Sequence, residues 1–278
     1  MVFIDASGQW WRPASEDPAE IDFTVPSPAR MYDYYLGGKN HFPADREAAE
    51  KALSLVPSGR ELARANRGFL VRAVRYLAGQ GIDQFIDVGT GLPTSPNVHE
   101  VARSVNPDAR VVYVDNDPLV MAHARAMLAD SDGVIAVRGD ARYPYGFIIT
   151  NDAVQTLIDF SRPVGLLFVA VLHFITDEED PYSAVAWVRD RVAPGSYLAV
   201  SHITSDGSDP AAMAAIRDAY KEATAPAVFR DMAGIGRFFD GFEVVEPGLA
   251  EVSRWRNPVP EPAPTAVRFL AAVGRKAW

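Results

Sequence analysis

Apolar positions along this chain keep two different rhythms, and the change between them falls near residue 84. Residues 1–29 hold neither: they are rich in Pro, Ser and acidic side chains and read as an irregular arm, with Trp10 and Trp11 as its packing residues. Residues 30–42, RMYDYYLGGKNHF, are aromatic and polar with a Gly-Gly break. Two helices should follow. The first begins near Asp45, and the second opens on the capping-box spacing Ser58-x-x-Glu61 ahead of Leu62, Phe69, Leu70, Val74 and Leu77.

From residue 84 onward, short β-branched runs alternate with helical periods. Strand 84–88 leads to a helix over 96–105, with Ser95 as N-cap and Pro96 in its first turn. Strand 110–114 leads to a helix capped by Asp117, with Pro118 first and Leu119, Met121, Ala122, Ala126 and Leu128 after it. Strand 133–138 precedes a helix over 152–160, strand 164–170 precedes one over 181–192, and Pro194-Gly195 turns the chain into strand 196–203. Strands alternating with helices predict a mostly parallel sheet covered on both faces.

The tail breaks this rhythm. Helices over 210–223 and 230–238 precede strands 242–245 and 267–273, and only Pro-rich sequence lies between those two strands. Without a crossover helix such a pair must be antiparallel. The expected fold is therefore α/β: a Rossmann-like, doubly wound, seven-stranded sheet, mostly parallel with an antiparallel C-terminal strand, plus an N-terminal helical extension. The expected division is an arm and helical extension over 1–57 and one sheet domain over 58–278.

Composition narrows the class. With 48% hydrophobic and 23% charged residues, the 278-residue chain can bury an ordinary core. A net charge of −9 argues against a nucleic-acid partner. The arginines at 60, 64, 67, 72 and 75 share one expected helix and read as a solvated face. There is no cysteine, which removes disulfides, thiolate chemistry and cysteine-bound zinc. No signal-peptide pattern or membrane-length apolar run is visible, so the expected location is the cytoplasm and no membrane partner is expected.

The chemistry sits at strand ends. Phe85-Ile86-Asp87-Val88-Gly89-Thr90-Gly91 is a strand running into a glycine turn, an arrangement that brings backbone amides close to a nucleotide-like ligand. A dinucleotide fingerprint wants a small residue where Thr94 stands and has no need of Asp87, which tilts the reading from NAD toward S-adenosylmethionine. Asp115-Asn116-Asp117 ends the second strand, Gly139-Asp140-Ala141 the third and Val171-Leu172-His173 the fourth. A carboxylate at Asp115 can accept two ribose hydroxyls, and Asp140 with its neighbouring amides can read an adenine edge. Asp117 reads better as a helix cap than as a ligand contact.

This set resembles the class I S-adenosylmethionine-dependent methyltransferases over roughly residues 60–278. RMYDYYLGGKNHFPADREAAE, IDVGTGLPTSPNVHEVA, VVYVDNDP and LHFI together look like one methyltransferase family of filamentous soil bacteria, first catalogued as a domain of unknown function, and this match spans nearly the whole chain. The resemblance implies S-adenosylmethionine as cofactor, with Asp87, Gly89 and Gly91 at its methionine portion, Asp115 at the ribose, Asn116 flanking the adenine and Asp140 at the amino edge. It brings no known acceptor; a small molecule is expected, in a pocket shaped by residues 30–42, 205–240 and 250–265.

Three further expectations concern the mouth of the site. The aromatic segment with Tyr32, Tyr34, Tyr35, His41 and Phe42 can fold over it as a lid, its rings suiting the sulfonium charge, with Tyr34 among the candidate contacts. Asn66 and Arg67 can reach the ligand carboxylate. His173 is the best-placed candidate base, with His41 and His202 behind it. No metal-ligand spacing is present. An NAD(P)-dependent oxidoreductase and a non-catalytic cofactor-binding regulator remain the competing readings, and the oligomeric state stays open.

Overall fold

A computed structural model describes residues 3–4, 10–11, 21–128, 131–148, 150–259 and 266–277. The central strands are β1 (Gln84–Val88), β2 (Arg110–Asp115), β3 (Val134–Arg138), β4 (Gly165–Val169) and β5 (Tyr197–Thr204). The short β6 (Glu243–Val244) and β7 (Ala250–Glu251) precede the last strand, β8 (Arg268–Arg275). The order across the sheet is β3-β2-β1-β4-β5-β8-β6, with β7 also on β8. The first five run parallel, and β8 lies antiparallel to β5, β6 and β7.

The antiparallel tail is thus as expected, with one difference. The two-residue β7 makes an eighth strand where seven were expected, because 250–256 folds back along β8 and packs Trp255 against Phe69 and Tyr76 of the helix ahead of β1.

Every residue of β1, β4 and β5 is buried, as a parallel sheet covered on both faces requires. Neighbouring side chains point to opposite faces: Phe85 joins one core and Ile86 the other. Along the chain, the helices are α1 (Pro28–Leu36), α2 (Pro43–Leu55), α3 (Gly59–Gly79), α4 (Val98–Arg103), α5 (Pro118–Met127), α6 (Pro144–Ile148), α7 (Asp152–Leu157), α8 (Pro181–Arg189), α9 (Pro210–Ala219) and α10 (Met232–Gly236).

Several local details differ from the sequence reading. The aromatic stretch starting at Arg30 is not merely polar chain; it forms α1, with Gly37 in the left-handed conformation that ends it. Helix α4 opens at Val98 with Asn97 as its cap, not at Pro96 with Ser95, because Glu100 reaches back to the Asn97 amide at 2.5 Å. Ser58 caps α3 only by position, and its side chain makes no capping bond. Asp117 does cap α5, accepting from the Leu119 amide at 2.8 Å. Residues 3–4 pair with 10–11; the side chains of Trp10 and Trp11, and residues 12–20, lie outside what is described.

The arginine row of α3 divides: Arg64 and Arg75 are exposed, as a solvated face would be, while the other three bond their own chain. Arg60 donates to the Tyr34 carbonyl at 3.0 Å, Arg67 to that of Pro96 at 2.6 Å and Arg72 to that of Trp255 at 2.8 Å. Among the described residues no helix is long and apolar enough to cross a membrane.

Helices α1 and α2 share a core with α9, built on Met31, Ala49, Ala52, Ala63 and Ala219. They are fastened by a buried ion pair, Arg30 Nε to Asp45 Oδ1 at 3.2 Å. Asp45 also accepts the amides of Ser27 at 2.9 Å and Phe42 at 2.8 Å. Breaking such a pair from one side leaves an uncompensated charge in the interior. Arg30→Met is expected to lower the unfolding free energy by about 3–5 kcal/mol, measured by urea denaturation; a loss under 1 kcal/mol would mean the pair contributes little.

Candidate active site

The carboxyl ends of the parallel strands open onto a cavity of about 570 Å³, roofed by α1, α2, α3 and α9. Ligands of open α/β sheets bind at this edge. The loop after β1 turns sharply there. Gly89 takes φ +71°, and a side chain at that position would strike Val171 on the loop after β4. Gly91 takes φ +66° with open space where a side chain would stand, so backbone faces the cavity directly.

The strand-end acids line this space. Asp87 is buried and accepts from the Thr90 hydroxyl at 2.9 Å. Asp115 is buried too: its Oδ2 accepts from the Gly91 amide at 2.9 Å and its Oδ1 from the Asp117 amide at 2.9 Å. Burial is the leading cause that pushes both carboxyls up to about 6. Hydrogen bonds to each oppose that rise without cancelling it. An ionised carboxylate has about four acceptor sites, so each keeps lone pairs free for a ligand.

Asp140 is differently committed. The Arg142 backbone amide and Nε both donate to its Oδ1 at 2.9 Å, and another Arg142 nitrogen donates to its Oδ2 at 2.6 Å. Asn116 adds a long contact at 3.4 Å. Burial raises its carboxyl, but Arg142 outweighs that and holds it below the ordinary range. The carboxylate expected at an adenine edge is therefore largely filled by protein, with the Asn116 contact its most replaceable bond. Ala141 and Asn116 line the cavity beside it.

The remaining candidates separate. Asn66 is buried at the cavity wall, donating to the Tyr32 hydroxyl at 2.9 Å and accepting from Ser201 at 2.6 Å. Arg67 lines the cavity, but its guanidinium is held by the carbonyls of Thr94 and Pro96. Tyr34 is not among the lining residues: it sits on the far face of α1, bonded to Glu50 and covered by Arg60 at 4.6 Å. The lining positions are Tyr32 and Tyr35, three apart and so on one helical face. His41 is also outside, with its Nε2 at 3.1 Å from the Gly38 carbonyl, and Phe42 packs on Phe23 at 4.3 Å.

His173 lines the cavity, is only 5% exposed, and its Nδ1 is buried without a hydrogen-bond partner. Burial, then the neighbouring His202 and Arg230, keep it neutral well below its ordinary range. His202 does not reach the cavity; it is fully buried in β5. Its Nδ1 lies 2.6 Å from the Ile203 carbonyl and its Nε2 2.8 Å from an Arg230 nitrogen, so Nδ1 carries the proton. Arg230 also donates to the carbonyls of Leu172 at 3.0 Å and Ile175 at 2.8 Å, clamping the turn that carries His173. Sequence reasoning missed Arg230, which has no motif around it. It also missed Ser27, whose hydroxyl donates to Asp117 at 2.6 Å, and Phe174 on the inner wall; Ile216, Tyr220 and residues 224–227, which complete that wall, fall within the expected segment 205–240. Residues 250–259, expected to shape the acceptor region, do not line the cavity; residues 260–265 lie outside the described chain.

The chain matches a family model described as S-adenosyl methyltransferase over residues 14–277. It belongs to that family. It is similar to a methyltransferase candidate from Thermobifida fusca YX, at 41% identity over 95% of this chain and 100% of that one, with a TM-score of 0.87. It is also similar to a DUF574 family protein from Streptomyces avermitilis MA-4680, at 37% identity over 92% of this chain and 100% of that one, again with a TM-score of 0.87. A search among curated proteins gives no match.

Family membership implies S-adenosylmethionine as methyl donor. The donor set suits that group: two buried carboxylates with unused lone pairs and the open strip above Gly91 fit a ligand rich in hydroxyls and positive charge. Among the described residues no three His, Asp or Glu side chains are grouped to hold a metal.

Donors that bind the ionised form of Asp87 or Asp115 must pull its carboxyl down from about 6. Binding then releases a proton and weakens as pH falls through that value. S-adenosylhomocysteine affinity, measured by calorimetry, is expected to be about tenfold lower at pH 5 than at pH 7 for one such carboxylate. An affinity flat across that range would contradict the role.

Proposed function

We propose that this methyltransferase acts on a small molecule, with the donor bound across the ends of β1, β2 and β3 and the acceptor under the helical roof. The observation that carries this reading is the cavity. Its floor is polar strand ends and its inner wall is apolar, with Val56, Leu62, Leu70, Ile216 and Phe269 among the lining residues. At about 570 Å³ it falls within the roughly 300–1,000 Å³ typical of small-ligand sites.

Bound S-adenosylmethionine supplies an electrophilic methyl group; the protein's share is alignment and exclusion of water. Asp115 would accept from the ribose hydroxyls while its bonds to the Gly91 and Asp117 amides keep the carboxylate fixed. Asp87, with the backbone at Gly89 and Gly91, would meet the methionine portion, and Ala141 with Asn116 the base. Asn66, buried between Tyr32 and Ser201, would orient the inner wall. His173 would face the acceptor as a neutral imidazole able to take a proton.

A ligand at 100 times its Kd adds about 2.7 kcal/mol of stability. S-adenosylhomocysteine should therefore raise the melting temperature measurably, and NADH should not. Asp115→Ala should abolish the shift. Stabilisation by NADH alone would return the oxidoreductase reading, and cofactor binding without label transfer to any small molecule of a cell extract would favour a non-catalytic binder.

A further inference from the structure

The inner half of the cavity carries more information than its size. Helices α1, α2 and α9 and the loop over 224–227 contribute lining residues, and none of those is charged. The charged lining residues belong to the other half. Asp87, Asp115, Asp117, Arg138, Asp140 and Arg142 lie at the ends of β1, β2 and β3 or just after them, and Glu179 is bonded to Arg142. Arg67, though on α3, spends its guanidinium on the carbonyls of Thr94 and Pro96.

The inner wall is also rich in rings. His173 and Phe174 lie 4.3 Å apart, Phe174 and Tyr220 5.3 Å apart, and His173 and Phe269 5.6 Å apart. Its tyrosine hydroxyls are engaged by protein: Tyr32 donates to the Ala63 carbonyl at 3.0 Å, and Tyr35 is bonded to Tyr220. The His173 imidazole is different: its Nδ1 is sealed within the protein, and its Nε2, with no hydrogen-bond partner in the protein, is the nitrogen open to the cavity.

We propose that the acceptor is an uncharged, flat, ring-bearing molecule with a single hydroxyl, which docks against the Phe174–Tyr220 wall and donates its O–H to His173. This rests on the methyltransferase reading above and goes on to name its substrate class. A charged acceptor would lose its hydration here with no opposite charge in the described wall to replace it. A flat ring gains offset or edge contacts with the aromatic side chains. In the transfer, the acceptor oxygen forms its bond to the methyl carbon as the carbon–sulfur bond breaks, and that electron pair stays on sulfur. The hydroxyl proton becomes strongly acidic only as the new bond forms, so a neutral imidazole suffices to take it and pass it to water.

The test uses the full chain saturated with S-adenosylhomocysteine, whose own binding is measured first. Phenol, 2-naphthol and 4-phenylphenol are compared by calorimetry with benzoate, 2-naphthoate and biphenyl-4-carboxylate. At least one alcohol should bind, at least tenfold more tightly than its carboxylate partner. His173→Phe should weaken that alcohol by about tenfold, the worth of one hydrogen bond, and leave S-adenosylhomocysteine binding intact. Ile216→Trp, which fills the inner half, should abolish alcohol binding alone. If S-adenosylhomocysteine binds and no alcohol does, or carboxylates bind as well as alcohols, the proposed class is wrong. If S-adenosylhomocysteine itself fails to bind, the methyltransferase reading of this site falls first.

Discussion

The carboxylate of Asp115 is the joint on which this architecture turns. One oxygen holds the Gly91 amide and the other the Asp117 amide, so the loop after β1 and the loop after β2 are tied to a single buried group. Asp117 in turn caps α5 and accepts from Ser27, and the Ser27 amide is held by Asp45, the partner of Arg30. A continuous run of charge-assisted bonds thus leads from the sheet edge to the helical roof. Each is stronger than a neutral hydrogen bond because one member is ionisable, and most are shielded from water.

The same joint carries a cost. Asp87 and Asp115 are both buried at one sheet edge, burial dominates the rise in both, and Asp87 adds a smaller rise to Asp115. Placing two acids where water is scarce is unfavourable for the empty protein. A ligand bearing hydroxyls and positive charge relieves this, so binding strength is drawn from a cost already present in the fold. Asp140 shows the contrast: paired with Arg142, it sits below its ordinary range and holds its neighbourhood rigid.

Much of the floor was legible because it is written locally. An Asp at a strand end and a glycine two residues on are neighbours in sequence, and β-branched alternation marks the strand that delivers them. The antiparallel β8 and the cap at Asp117 follow from similar short-range rules. The roof was less legible. Tyr32 and Tyr35 line the cavity while Tyr34 does not, a choice made by the phase of α1 against α3 that no count of aromatic residues reveals. Asn97 displaced Ser95 as the cap of α4 because Glu100 could close a bond to its amide.

Arg230 and His202 mark the limit of local reading most sharply. They lie 28 residues apart, in a strand and a loop, and neither position has the spacing of a motif. Together they determine how His173 is presented. The Ile203 carbonyl takes the proton on His202 Nδ1, which leaves Nε2 to accept from Arg230, and Arg230 can then reach the carbonyls on both sides of His173. Asp177 completes the set from the surface, at 2.7 Å from the guanidinium. The turn after β4 is therefore held from behind by a buried cation whose donors are spent on protein oxygens and His202. His173, which lines the cavity, is thus positioned from two sides: by Arg230 through the carbonyls of the turn that carries it, and by His202 through an edge-on ring contact at 5.5 Å.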